Sequence, residues 1–180
     1  MNKLKLPNFF IAGAAKSGTS SLWRYLKANE EVFMPADELH KEPAFFSEIK
    51  NRGGITPERY SELFKEADKR HKRIGEASTA YLADPGSAGL IHDFNPGAKI
   101  IILLRNPAER AYSLYCWMVQ DGYEYAGTFE RALELEPSRI SRKIPNFLEP
   151  EYYYNYLYFH SGLYYEQVKR YNDLFGSNLL

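Results

Sequence analysis

The stretch GAAKSGTSS, Gly13 to Ser21, narrows the choice of fold more than any other part of the chain. It follows a short apolar run, NFFIA, and leads into LWRYLKA, where Leu22, Tyr25 and Leu26 recur at helical spacing. A strand, a glycine-bearing loop and a helix in that order aim the loop amides and the helix N-terminus at one spot, an anion site of partial positive charge. Ser17, Thr19, Ser20 and Ser21 add hydroxyl donors, and Lys16 adds a full charge. The plain alternative is a strand-to-helix turn whose hydroxyls merely cap the helix; a lysine inside the loop favours the anion site. A nucleoside-triphosphate loop reads G-x-x-x-x-G-K-[ST]. Gly13 and Gly18 have that spacing, but Thr19 stands where the lysine belongs, and the lysine has moved inward to position 16.

The rest of the chain repeats the strand-then-helix pattern. EEVFMP reads as a second short strand ending at Pro35, and KRIGEAS as a strand edge. AKIIILLR is apolar without alternation, the mark of a strand covered on both faces. TPERYSELFKEA places Thr56 at an N-cap and Pro57 at N1, and NPAERAYSLYCWMVQ does the same with Asn106 and Pro107, with Glu109 at the capping-box position. TFERALELE is a short helix capped by Thr128, and SGLYYEQVKRYNDLFG a final amphipathic helix stopped by Gly176. Strands alternating with helices imply an α/β fold with a central, mostly parallel sheet.

Composition excludes some roles. Lysine plus arginine and aspartate plus glutamate are each 23, so the formal net charge is zero, which argues against bulk binding to nucleic acid. The single cysteine, Cys116, allows no intramolecular disulfide and is expected on a buried helical face. There is no leader with a cleavage site and no run long enough to span a membrane, so a cytoplasmic location is the default expectation. Of the 15 tyrosines, many fall between Tyr152 and Tyr171; amphipathic packing explains them most simply, a ring-lined acceptor surface less so.

Magnesium-dependent phosphoryl transfer usually needs a carboxylate at the end of a second strand. Here KIIILL runs into Arg105 instead, with Ser113 two helical turns along NPAERAYS. An arginine there binds an anion directly, so the chain offers two anion sites and no evident metal site. A nucleotide phosphorylated at both ends of its ribose would fit.

At this point the residues resemble the sulfotransferases that use 3'-phosphoadenosine 5'-phosphosulfate, in the branch of carbohydrate and heparan-sulfate-type domains and bacterial relatives. IAGAAKSGTSSL is similar to that family's 5'-phosphosulfate loop, IIILLRNPAERAYSLY to its 3'-phosphate motif, and HKEPAFFSE to its lysine–glutamate–aromatic segment. GEASTAYL and SGLYYEQVKRYNDLFG resemble further stretches in the same order, although Thr79 replaces the proline that commonly follows the serine. The resemblance implies a three-layer fold like that of P-loop-containing nucleoside triphosphate hydrolases. It also implies a single domain over residues 1–180, with a further C-terminal stretch carrying a basic loop that closes over the nucleotide. The chain instead ends on a helix, the turn GSN and two leucines, as if approaching another strand, so a fragment is expected.

The implied reaction is metal-free, in-line sulfuryl transfer to a hydroxyl or amine of a sugar or small alcohol. Lys16, Ser17, Gly18, Thr19, Ser20, Arg105 and Ser113 would hold the nucleotide. Lys16 would steady the leaving oxygen and Glu42 would take the acceptor's proton. His40 and His92 are rival bases, and Lys41 could pair with Glu42 or position an anionic acceptor. A P-loop kinase and a non-catalytic nucleotide- or sulfate-binding module are the alternative functions.

Overall fold

The computed structural model describes residues 6–35, 41–47, 55–142 and 153–180. Among these residues four strands form one parallel sheet: β1 (Phe9–Gly13), β2 (Val32–Phe33), β3 (Arg73–Ala77) and β4 (Lys99–Ile102), in the order β2-β3-β1-β4. Among the described residues seven α-helices accompany them: α1 (Thr19–Lys27), α2 (Pro57–Glu62), α3 (Ala80–Ala83), α4 (Ser87–Phe94), α5 (Pro107–Gln120), α6 (Phe129–Arg142) and α7 (Tyr164–Phe175). The α/β reading of the sequence stands. Strand β1 lies centrally, between β3 and β4, and all five of its residues are buried. The chain runs from β1 outward to β2, back to β3, then across to β4. Loops leaving β1 and β4 therefore diverge at neighbouring carboxyl ends, the place where open α/β sheets bind ligands.

Aromatic packing holds one face of the sheet. Phe10, Phe46, Tyr60, Phe64, Tyr81, Ile91 and Phe175 belong to one buried cluster, with Phe46 edge-on to Phe10 at 5.6 Å between centroids. Trp23, Met34, Phe9 and Ile11 form a second cluster on the side of α1. Among the described residues no helix is long and apolar enough to cross a membrane.

Several local expectations change. KRIGEAS does hold a strand, but an interior one: β3 pairs with β2 on one side and β1 on the other. Strand β4 is less covered than its composition suggests, since Lys99, Ile101 and Ile102 are only half-buried. Its outer side is met by the last residues of the chain, where Leu180 N donates to Ile100 O (2.8 Å) and Ile102 N to Leu180 O (3.0 Å). Helix α6 continues through Pro137 to Arg142 rather than stopping before it; α3 and α4 had no expectation. Asn106 caps α5 as expected, accepting from Ala108 N (3.0 Å) and Glu109 N (3.3 Å), but the Glu109 carboxylate turns to Arg105 instead of closing a capping box. Cys116 is exposed, because Leu114 and Met118 take the buried face of that turn.

Candidate active site

The loop after β1 is built for close approach. A Cβ on Gly13 would lie 2.6 Å from Leu82 Cβ, so only glycine lets the strand pass α3. Ala14 N donates to Leu103 O (2.8 Å) and Leu103 N to Gly13 O (2.9 Å), which ties this loop to the segment leaving β4. Lys16 (φ 65°) and Gly18 (φ 91°) both take left-handed backbone. Non-glycine residues seldom adopt it, and such alternation turns successive amides toward one concavity. Gly18 itself occupies the N-cap of α1 with no side-chain cap. The loop hydroxyls thus do not cap the helix, and its first amides keep the orphan donors of any helix start. Ser17 Oγ is buried with no hydrogen-bond partner among the described residues. A buried, unsatisfied hydroxyl is costly, and an anion seated in the loop would satisfy it. Loop and orphan donor fit a phosphosulfate group.

Opposite the loop, residues 41–47 carry the candidate base. Glu42, Lys16, Thr19, Ser20, Thr79, Leu114, Trp117 and Asn155 line one cleft of about 290 Å³. The Lys16 ammonium lies 5.5 Å from the Trp117 ring centroid, within cation–π range. Lys41, almost wholly buried, bridges the two sides: its Nζ donates to Ser20 Oγ (2.9 Å) and to Glu42 Oε1 (3.0 Å). The other carboxylate oxygen, Oε2, accepts from Thr79 Oγ1 (2.8 Å) and Thr79 N (3.2 Å). Lys41 therefore pairs with Glu42, the first of its two expected roles.

Beneath this loop sits a carboxyl group that sequence reasoning passed over. Glu76, fully buried in β3, accepts from Ser78 Oγ (2.5 Å) and Tyr60 OH (2.6 Å). Ser78 Oγ in turn accepts from Ala44 N (3.0 Å), and Tyr81 OH from Phe46 N (3.3 Å), so buried hydroxyls pin the Glu42 loop to the sheet. Ser78 thereby gains a structural role. Burial raises the Glu76 carboxyl from its ordinary 4.5 to about 7; the Ser78, Tyr60 and Tyr81 hydroxyls offset part of that, and the nearby Glu42 charge adds to it. Between those two values the unfolded chain holds fewer protons than the folded one, so stability falls as pH rises through the window and then levels off. Glu76→Gln cannot ionise. Its stability relative to wild type is expected to improve between about pH 4.5 and pH 7 by up to roughly 3 kcal/mol, read from urea unfolding midpoints across that range.

Arg105 lies in the segment between β4 and α5 rather than within the strand. Its guanidinium is partly exposed and meets Glu109 Oε2 at 3.2 Å, an exchangeable surface ion pair. Ser113 is half-buried on α5, one residue before the cleft-lining Leu114 and one turn before Trp117. Lys16, Thr19, Ser20 and Glu42 thus share a cleft, while Arg105 and Ser113 occupy the adjoining α5 side. His92 is not brought to the site: it packs edge-on to Phe175 at 5.5 Å, between α4 and α7. His40 lies outside the described residues. Of the tyrosine-rich stretch, Tyr156 and Tyr158 are buried, Tyr165 is exposed, Asn155 reaches the cleft, and Tyr152 lies outside the described residues. Trp117 and Asn155 carried no expectation; Trp117 follows Ser113 at i+4, the spacing of a shared helix face.

Residues 6–175 match the family model described as "Sulfotransferase domain". A crystal structure of a sulfotransferase from Alicyclobacillus acidocaldarius superposes with a TM-score of 0.83 at 37% identity, covering 98% of this chain and 72% of that one. The membrane-associated sulfotransferase kil1 of Dictyostelium discoideum is 34% identical over 117 residues, 65% of this chain and 24% of that protein. Human carbohydrate sulfotransferase 15 is 28% identical over 172 residues, 72% of this chain and 30% of that protein. The chain thus spans under a third of the length of these two relatives.

Proposed function

Because the chain belongs to the sulfotransferase domain family, we propose that it moves a sulfuryl group from 3'-phosphoadenosine 5'-phosphosulfate to a hydroxyl or amine of a sugar or small alcohol. The observation that carries this reading is the sharing of one cleft by Lys16 and Glu42, with the left-handed loop at its floor. The nucleotide supplies the activated sulfuryl group. The loop amides and the hydroxyls of Ser17, Thr19 and Ser20 hold its 5' end, while Arg105 and Ser113 hold its 3'-phosphate. Lys16 offers a full charge where the leaving oxygen gains its own, and Glu42 accepts the acceptor's proton. No covalent intermediate on the protein is needed; alignment and charge do the work.

Transfer of labelled sulfate from this donor to a sugar or amine acceptor tests the reading. Calorimetric titration with 3'-phosphoadenosine 5'-phosphate, ATP and adenosine 5'-phosphate, with and without magnesium, separates it from kinase activity. Tight, magnesium-independent preference for the bisphosphate is expected; preference for magnesium-ATP overturns it. In the same titration Arg105→Ala is expected to lose most of the discrimination between the bisphosphate and adenosine 5'-phosphate, a change of roughly tenfold to a hundredfold for one charge-assisted contact. Equal binding of the two by wild type would remove Arg105 from the site.

A further inference from the structure

We propose that Thr79 is a positioning residue for the candidate base, holding one carboxylate oxygen of Glu42 through both its amide and its hydroxyl. The inference rests on the reading of Glu42 as the base and goes beyond it. Thr79 stands two residues past the end of β3, at the N-cap of α3, so it lies beyond the carboxyl end of a strand next to β1. It is held there on both sides. Ser78 N donates to Ile11 O (3.2 Å), and Ala80 begins the helix. Its partner is held as well, because Ser78 Oγ accepts from Ala44 N two residues past Glu42. The two donors on Thr79 therefore meet Glu42 at a spot fixed by the backbone rather than by a flexible side chain.

The consequence is atomic. Oε2 receives Thr79 Oγ1 at 2.8 Å and Thr79 N at 3.2 Å, which occupies both of its lone pairs. Proton transfer from an acceptor then goes to Oε1, the oxygen that Lys41 also touches at 3.0 Å and ties to Ser20 of the loop. Among the described residues, charged groups facing this carboxylate include Lys41 from its own segment, Lys16 from across the cleft and Glu76 from the sheet below. Proline at position 79, the residue that the sequence resemblance leads one to expect, has no N–H and no hydroxyl and could supply neither bond. This chain has put at that position the side chain that grips Glu42 from a second direction.

Three variants test this. Thr79→Ser keeps both donors, Thr79→Val removes the hydroxyl, and Thr79→Pro removes both. Each is checked first by thermal melting and by calorimetric affinity for 3'-phosphoadenosine 5'-phosphate. With side-chain carboxyl 13C-labelled glutamate, and Glu42→Gln used to assign its signal, the Glu42 titration is followed by NMR, which needs no acceptor. Hydrogen bonds to the ionised form favour it. The midpoint is therefore expected to rise by about one pH unit in Thr79→Val, further in Thr79→Pro, and to stay at the wild-type value in Thr79→Ser. With acceptor present, kcat falls about tenfold in Thr79→Val while nucleotide affinity holds. An unchanged midpoint in both Thr79→Val and Thr79→Pro overturns the proposal. A Glu42→Gln enzyme with full turnover overturns instead the reading of Glu42 as base, and leaves the titration result standing on its own.

Discussion

Lys16→Ala is expected to lose about 10²–10³-fold in kcat while its affinity for 3'-phosphoadenosine 5'-phosphate changes far less. In the proposed reading the loop would offer the anion many donors: its amides, the first turn of α1 and the hydroxyls of Ser17, Thr19 and Ser20. Losing one cation from that set weakens the ground state modestly. The leaving oxygen, however, gains charge only as the bond to sulfur breaks, and an ammonium poised in the cleft acts on that change. Lys16 is well placed to be poised. Its left-handed backbone (φ 65°) directs the side chain, and the Trp117 face holds the ammonium 5.5 Å from its centroid. Lys16→Arg should recover little, since a planar fork does not substitute for a compact charge at a fixed point. Turnover with labelled donor, set beside calorimetric affinity, separates the two effects. Equal losses in both would make Lys16 a plain binding residue.

The parts of this molecule that local chemistry dictates were legible in the sequence. NFFIAG had to be a buried strand because nothing polar interrupts it, and β1 is buried throughout. Thr56 and Asn106 announced helix starts because a short oxygen-bearing side chain followed by proline has few other uses, and both accept amide hydrogens there. The loop announced itself through glycine spacing and a displaced lysine.

What stayed hidden depends on contacts between distant segments. Thr79 lies 37 residues from Glu42 in the chain, and nothing within GEASTAYL says which segment will cross above it. In sequence Ser20 is one more loop hydroxyl; its bond to Lys41 needs the 41–47 segment folded back toward α1. Cys116 is exposed where a buried face is expected, because an apolar run in SLYCWMV does not say which side of the helix faces inward. Glu76 was overlooked for a related reason. An acid between glycine and alanine in a strand looks like a solvent-facing residue until the sheet is known to cover it from both sides.

Glu42→Gln is expected to lower kcat by about 10²–10⁴-fold with nucleotide affinity intact. Glutamine keeps the size and most of the hydrogen bonds: its oxygen can still accept from Thr79, and the fold around Ala44 and Ser78 need not change. What it cannot do is take a proton. The loss should therefore appear in turnover, with a lower melting temperature beside it, because the amide NH2 now facing Lys41 takes away the partner of a nearly buried ammonium; intact nucleotide affinity distinguishes it from damage to the loop. An acceptor that arrives already deprotonated, such as a phenol of low pKa, should suffer least, because it asks nothing of the base. His40, two residues away in sequence, supplies the control. If His40→Asn, rather than Glu42→Gln, removes activity toward neutral alcohols and spares acidic phenols, the proton goes to the imidazole. Glu42, held by Lys41 on one oxygen and Thr79 on the other, would then be an anchor for the cleft wall instead of its base.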